Sequence, residues 1–163
     1  LEVNKLYCMD NLELMKQLSS DSIDLIYCDI LYNTGRKFKD YVDRLGTQKQ
    51  AIEWYKPRIE EMYRVLKNTG LIYIHCDWHL VHYLKVLMDE VFGIDNFRNE
   101  IIWYYDRWTN SSKDFTRCHD TILRYSKTDK YTYNKQFEPF SEKSQHKGSR
   151  FSKHNEDGKL EQH

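Results

Sequence analysis

The chain is poor in the residues that bend and punctuate a backbone. It has two prolines, at 57 and 139, and six glycines, no two of which lie within two residues of each other. That spacing leaves no Gly-x-Gly turn of the kind that cradles a nucleotide. No apolar run approaches the ~18 residues of a membrane-crossing helix, and no signal peptide is evident. The four cysteines, at 8, 28, 76 and 118, form no CxxC pair. They read as reduced thiols of a cytoplasmic protein and not as a disulfide framework. Net charge is absent too, with 25 Lys and Arg against 25 Asp and Glu. A strong sequence-blind polyanion binder is therefore not indicated, although local patches of charge are still allowed. There are no internal repeats.

What the 163 residues do have is enough apolar and aromatic material for one domain with a core, including 13 tyrosines. Lys5–Met9 reads as a short first strand, and Asp10-Asn11 as the cap of a helix with Leu12, Met15 and Leu18 on one side. Ile23–Cys28 is a buried strand, so the first 28 residues read as a βαβ unit. Thr47–Leu66 carries Ile52, Tyr55, Ile59, Met62 and Leu66 on one helical face. Pro57 implies a kink or two abutting helices there, and Gly70 a left-handed cap. Leu71–His75 is a strand, Asp77 an N-cap, and Leu80–Val91 the cleanest helical stripe, stopped by Gly93. Glu100–Tyr105, Thr121–Tyr125 and Lys130–Tyr133 read as further strands. The expected fold is α/β: an incomplete Rossmann-like three-layer sheet of mainly parallel strands with an antiparallel edge. Residues 1–134 form the domain. From Lys135 hydrophobicity collapses, and 135–163 reads as a polar tail or the start of a target-recognition region. Lys127–Lys153 holds seven Lys and Arg against three Asp and Glu.

The chemistry concentrates in one stretch. An apolar strand ends on Asp29, Tyr32 follows three residues later, and Asn33-Thr34-Gly35 makes a turn. Ligands of open α/β sheets bind beyond the carboxyl ends of strands. Asp29 and Tyr32 would sit in that crevice, offering a carboxylate for an amine and a ring for a flat partner. Leu25-Ile26-Tyr27-Cys28-Asp29-Ile30-Leu31-Tyr32-Asn33-Thr34-Gly35 resembles the catalytic motif of amino-group DNA methyltransferases, DPPY followed by NTG. The similarity runs from about Asn4 to Tyr133 and is nearest to adenine-specific enzymes of restriction–modification systems, type III modification subunits among them. Ile30 and Leu31 stand where the family has two prolines.

The resemblance implies that Asp29 and the carbonyl of Ile30 accept hydrogen bonds from an exocyclic amine. Tyr32 would stack on the flipped-out base. It implies S-adenosyl-L-methionine as cofactor, bordered by Asp10, Asp29, Ile30, Leu31 and Tyr32. Substrate contacts would come from Asn33, Trp103, Tyr105, Arg107, Lys113 and Arg117. Double-stranded DNA is the implied partner, with a restriction subunit or a second copy of the chain as further candidates and no membrane. Asp at position 29 favours adenine by resemblance alone. Without the prolines the carbonyl loses its fixed aim, and weak or absent activity is expected. The family's glycine-rich cofactor turn is missing, so cofactor binding by this chain should be poor.

Other readings carry less. His75, Cys76, His79 and His82 suggest a metal, but the spacing fits no standard zinc pattern. Arg36–Tyr41 reads either as a mobile loop over the site or as a plain solvated one. The long loop Asp106–Asp120 is either functional or disordered. A relative whose motif has decayed, and which binds nucleic acid or assembles with a partner, is the alternative to an enzyme.

Overall fold

The computed structural model describes residues 2, 4–106 and 113–135. The chain divides into two units, Leu1–Thr132 and Tyr133–His163; the fold below is that of the first. The expectations for Arg107 and for the tail beyond residue 135 lie outside the described residues.

Among the described residues eight elements follow in order: α1 (Asn11–Met15), β1 (Ile23–Asp29), α2 (Gln48–Val65), β2 (Leu66–Cys76), α3 (Val81–Phe92), a 3₁₀ turn (Ile94–Asn96), β3 (Phe97–Tyr104) and β4 (His119–Ser126). The sheet order is β1-β2-β4-β3. β1 and β2 are parallel, with α2 crossing between them, while β4 runs antiparallel to both its neighbours. The sheet is thus mixed, with one parallel pair, where mainly parallel strands were expected.

Alternation sorts the strands into two faces. Ile72, Ile74 and Cys76 of β2 and Leu123 and Tyr125 of β4 are buried against Ile59, Met62, Leu84 and Met88 of α2 and α3. Both long helices share this core. On the other face Leu25, Tyr27, Ile101 and Trp103 are exposed. The described residues therefore make two layers and not three.

Several expectations are corrected. Lys5–Met9 forms no strand: Leu6, Tyr7, Cys8 and Met9 are exposed. A strand exists only as part of a ladder, and these residues have neither a strand partner nor a place in the core. The parallel unit is instead β1–α2–β2. Pro57 lies inside a single helix, Gln48–Val65. Its missing N–H leaves the carbonyl of Glu53, an exposed residue, without its usual helical donor. Thr47 opens that helix with a capping box to Gln50. Gly70 is not a left-handed cap, because α2 passes directly into β2 and Gly70 lies within the strand. Its role is close packing: a Cβ there would stand 2.7 Å from the Leu66 side chain. α3 begins at Val81. Asp77 caps the preceding turn, accepting from the His79 N–H at 2.9 Å. Gly93, with φ +85°, ends α3 as expected. Lys130–Tyr133 is not a strand. The ring of Tyr131 is held instead by the guanidinium groups of Arg98 and Arg124, at 4.8 and 5.2 Å.

Candidate active site

β1 ends on Asp29, which lies opposite His75 of β2 in the register. Beyond it a cavity of about 490 Å³ opens, lined by Asp29–Tyr32, Thr34, Arg36, Phe38, Tyr41, Asp43, Asp77–His79, Tyr105, Arg117, His119 and Asp120. The cavity sits at the carboxyl ends of the parallel pair, where open α/β sheets bind ligands.

The Asp29 carboxylate is 65% exposed, and its Oδ1 accepts a hydrogen bond from the Tyr32 hydroxyl at 2.8 Å. Burial, and then this hydrogen bond, hold the Tyr32 phenol well above the usual tyrosine range. Tyr32 is thus a neutral donor to a neighbouring carboxylate. Beside them, His75 Nδ1 pairs with the Tyr27 hydroxyl at 2.7 Å and lies 3.9 Å from Asp29 Oδ1. His75 Nε2 is buried without a hydrogen bond among the described residues, 3.5 Å from Asp120 Oδ2. A proton on Nε2 suits both contacts: Tyr27 then donates to Nδ1, and the Nε2–H turns toward the Asp120 carboxylate. Tyr105 adds a hydroxyl 3.3 Å from Asp120 Oδ1.

Ile30 and Leu31, which stand where the motif they resemble has two prolines, are held by hydrogen bonds. The Ile30 N–H, which proline would lack, donates to the His75 carbonyl at 3.4 Å and carries the β1–β2 ladder one step further. The Leu31 carbonyl accepts from the Tyr55 hydroxyl of α2 at 2.8 Å. Hydrogen bonds to two neighbouring elements thus fix a backbone that ring closure would otherwise stiffen.

The turn that follows is clamped. Asn33 takes φ +60°, a region Asn tolerates better than most residues. Its side chain donates to the Gly46 carbonyl at 2.9 Å and accepts from the Leu45 N–H at 2.7 Å. Asp43, only 5% exposed, accepts from the N–H groups of Asn33 and Thr34 at 2.9 and 3.0 Å and from the Thr34 hydroxyl at 2.5 Å. Residues 35–43 double back as a hairpin. Gly35 N–H donates to Asp43 O, Asp43 N–H to Arg36 O and Phe38 N–H to Tyr41 O, each at 2.8 Å. Arg36–Tyr41, read as a loop from sequence, is one arm and tip of this hairpin.

Of the residues singled out from sequence, Asp29, Ile30, Leu31, Tyr32, Tyr105 and Arg117 line the cavity. Asp10, Asn33, Trp103 and Lys113 do not. Asp10 caps α1 and pairs with the buried Arg58 at 2.6 Å. That guanidinium, through its hydrogen bond, pulls the Asp10 carboxyl below the usual range. Asn33 spends its amide on the turn. Trp103 is exposed on the open sheet face, opposite Asp120 in the ladder. Among the described residues no cluster of three or more His, Cys, Asp or Glu is placed to hold a metal ion. His79 stacks on Trp78 and pairs with Asp77 at 2.7 Å. Sequence reasoning gave no role to Asp43, met His75 only as a possible metal ligand, and met Asp120 only at the end of the long loop. The register partner of Asp29 could have pointed to His75; nothing in the pattern pointed to Asp43.

An acid and a tyrosine at the carboxyl end of a parallel strand, on a mixed α/β sheet, define a class of ligand-binding α/β domain. Comparison with known proteins makes the class specific. The N6/N4 methyltransferase family model, described as DNA methylase, matches residues 23–162, and the chain belongs to that family. The type II methyltransferase M.HpaI of Haemophilus parainfluenzae is 33% identical over 131 residues, covering 80% of this chain and 41% of that protein. The DNA adenine methyltransferase YhdJ of Escherichia coli K12 is 29% identical over 127 residues, covering 77% of this chain and 42% of that one. The StyLTI Mod subunit of a type III restriction–modification enzyme of Salmonella typhimurium is 28% identical, with 73% of this chain and 23% of the subunit covered. The chain thus spans less than half the length of these relatives. Among solved structures, the cytosine-N4-specific PvuII DNA methyltransferase shares the fold with a TM-score of 0.55 at 17% identity, over 77% of this chain and 49% of that one. The M1.HpyAVI–SAM complex has a TM-score of 0.51 at 17% identity, over 83% of this chain and 60% of that one.

Proposed function

We propose that this chain is the base-holding part of a DNA methyltransferase of a restriction–modification system, acting in the cytoplasm on the N6 amine of adenine. One observation carries the reading. The Asp29 carboxylate, at the tip of the parallel pair, stands exposed in a cavity with its Oδ1 taken by Tyr32. An exocyclic amine is a poor nucleophile because its lone pair is delocalised into the base. Hydrogen bonds from its two hydrogens to the Asp29 carboxylate and the Ile30 carbonyl would pull the nitrogen toward tetrahedral geometry. Catalysis of this kind rests on orientation and fixed charge. The Tyr32 ring lines the cavity and would stack on the extruded base; its pairing with Asp29 keeps both groups aimed at one place.

S-adenosyl-L-methionine would supply the methyl group on a sulfonium. The residues present fit only the methyl-donating end of that molecule, where a carboxylate and an aromatic ring can face a cation. Nothing among the described residues offers a glycine turn for its adenosine. Calorimetric titration of this chain with S-adenosylmethionine should therefore show no low-micromolar binding.

The test of the reading is transfer of labelled methyl to duplex DNA, followed by nucleoside analysis. Label in N6-methyladenine, lost in Asp29→Ala, is expected. Label in N4-methylcytosine would overturn the adenine assignment and keep the amine chemistry. The Ile30-Leu31 pair favours a second reading, a relative that binds DNA or a restriction subunit without methylating. Transfer that stays undetectable even in a polypeptide supplying the cofactor half would select it.

A further inference from the structure

The hairpin that follows the motif carries features that holding one base does not use. Phe38 and Tyr41 face each other across its tip with ring centroids 4.8 Å apart and planes 17° from parallel. Both line the mouth of the cavity, and both stay about half exposed, at 44% and 51%. A stacked, solvent-facing ring pair buries little and contributes little to the core, so packing does not account for it. The hairpin is also charged out of keeping with a neutral chain. Arg36, Lys37, Lys39 and Arg44 are exposed, and none forms an ion pair among the described residues. Asp40 is their one exposed opposite charge, because Asp43 is buried and committed to Asn33 and Thr34. Across the mouth, Arg117 lies over the exposed ring of Trp78 at 4.1 Å.

We propose that the Phe38–Tyr41 pair is a stacking platform for a DNA base left unpaired beside the one held at Asp29, and that Arg36, Lys37, Lys39 and Arg44 take the flanking phosphates. This rests on the DNA reading above and extends it to a second contact. Extrusion of one base leaves its partner and neighbours with exposed π-faces, and an aromatic platform meets such faces without regard to sequence. Asp43 joins the two sites. It bonds the motif turn with its carboxylate and closes the hairpin with its backbone, so platform and acid move as one piece.

The experiment is equilibrium binding of the 163-residue protein to fluorescent DNA at two salt concentrations, with an intact duplex and the same duplex carrying one abasic site. The abasic duplex is expected to bind more tightly. The double variant F38A/Y41A should lose about tenfold on it, and with that loss the preference. The conservative pair F38Y/Y41F should retain it, which separates stacking from misfolding. Lys37→Ala with Lys39→Ala should weaken both duplexes alike and reduce the salt slope by about 1.8. Equal binding of both duplexes by wild type, no binding of either, or an unchanged preference in F38A/Y41A overturns the platform. Equal binding or an unchanged preference leaves the Asp29 reading untouched, because that reading stands or falls on methyl transfer, whereas no binding of either duplex also counts against the DNA reading on which the platform rests.

Discussion

The two faces of the sheet are built from the same strands and serve opposite ends. On the covered face, Ile72, Ile74, Leu123 and Tyr125 pack against two helices and are almost wholly buried. On the open face, Tyr27, Asp29, His75 and Asp120 form a chain of polar contacts leading to the cavity. Successive residues of β1 and β2 alternate between these faces, so one strand supplies both the core and the site. Stability and chemistry are thus separated by one residue of register and linked by one backbone. A one-residue slip of β1 in that pairing would turn Tyr27 and Asp29 toward the core.

That contrast can be broken from the covered side first. Ile74→Ala removes a fully buried side chain and should destabilise the fold by about 2–5 kcal/mol in urea unfolding. Leu25→Ser, on the exposed side of the neighbouring strand, should stay within about 0.5 kcal/mol. Equal losses would show that the open face is packed in solution. The converse is a change that removes activity and spares the fold. Asp29→Ala, at a two-thirds exposed carboxylate, should lower methyl transfer about 10²–10³-fold and leave the urea midpoint nearly unchanged. Asp43→Asn lies between the two. The amide keeps one acceptor and turns a donor toward the Thr34 N–H, so a buried donor loses its partner for about 1–3 kcal/mol. Hydrogen exchange should report it locally, with faster exchange at the Asn33 and Thr34 amides while those of β2 stay protected. Uniform acceleration would mean that Asp43 supports the whole fold and not the turn.

The sequence discloses these regions unequally, for physical reasons. Periodicity is a property of one element at a time. The α3 stripe from Leu80 to Val91 and the Gly93 stop could be read because each states its own burial. The strand leading to Asp29 could be placed, but it is not buried on both sides as its apolar run suggested, since Leu25 and Tyr27 lie exposed on the open face. The Asp-x-x-Tyr-Asn-Thr-Gly run could be read because its residues are adjacent. Asp43 could not: its partners lie nine and ten residues away, joined through a hairpin whose two arms have no apolar alternation. His75 and Asp120 meet only through strand pairing. Lys5–Met9 misled because its composition suits a strand, yet strand formation depends on a partner that composition cannot supply. Gly70 misled for a related reason. A glycine after a helical run usually marks a left-handed cap, and here it makes room for Leu66 inside a strand that begins as soon as the helix ends.

The smallest expected effect tests Ile30 and Leu31, the pair that departs from the motif this stretch resembles. Proline at position 30 would fix φ and remove the Ile30 N–H, and with it a ladder bond to His75 whose 3.4 Å length marks it as weak. Proline at position 31 would leave the Leu31 carbonyl free to keep its 2.8 Å bond from Tyr55. The double variant Ile30→Pro/Leu31→Pro therefore trades one weak hydrogen bond for two fixed dihedral angles beside Asp29. Stability should shift by less than about 1 kcal/mol, because the entropy removed from the unfolded chain offsets the lost bond. Methyl transfer should rise, since the Ile30 carbonyl would be held in place before the base arrives. An unchanged rate would mean that the contacts from His75 and Tyr55 already aim that carbonyl as well as two pyrrolidine rings do.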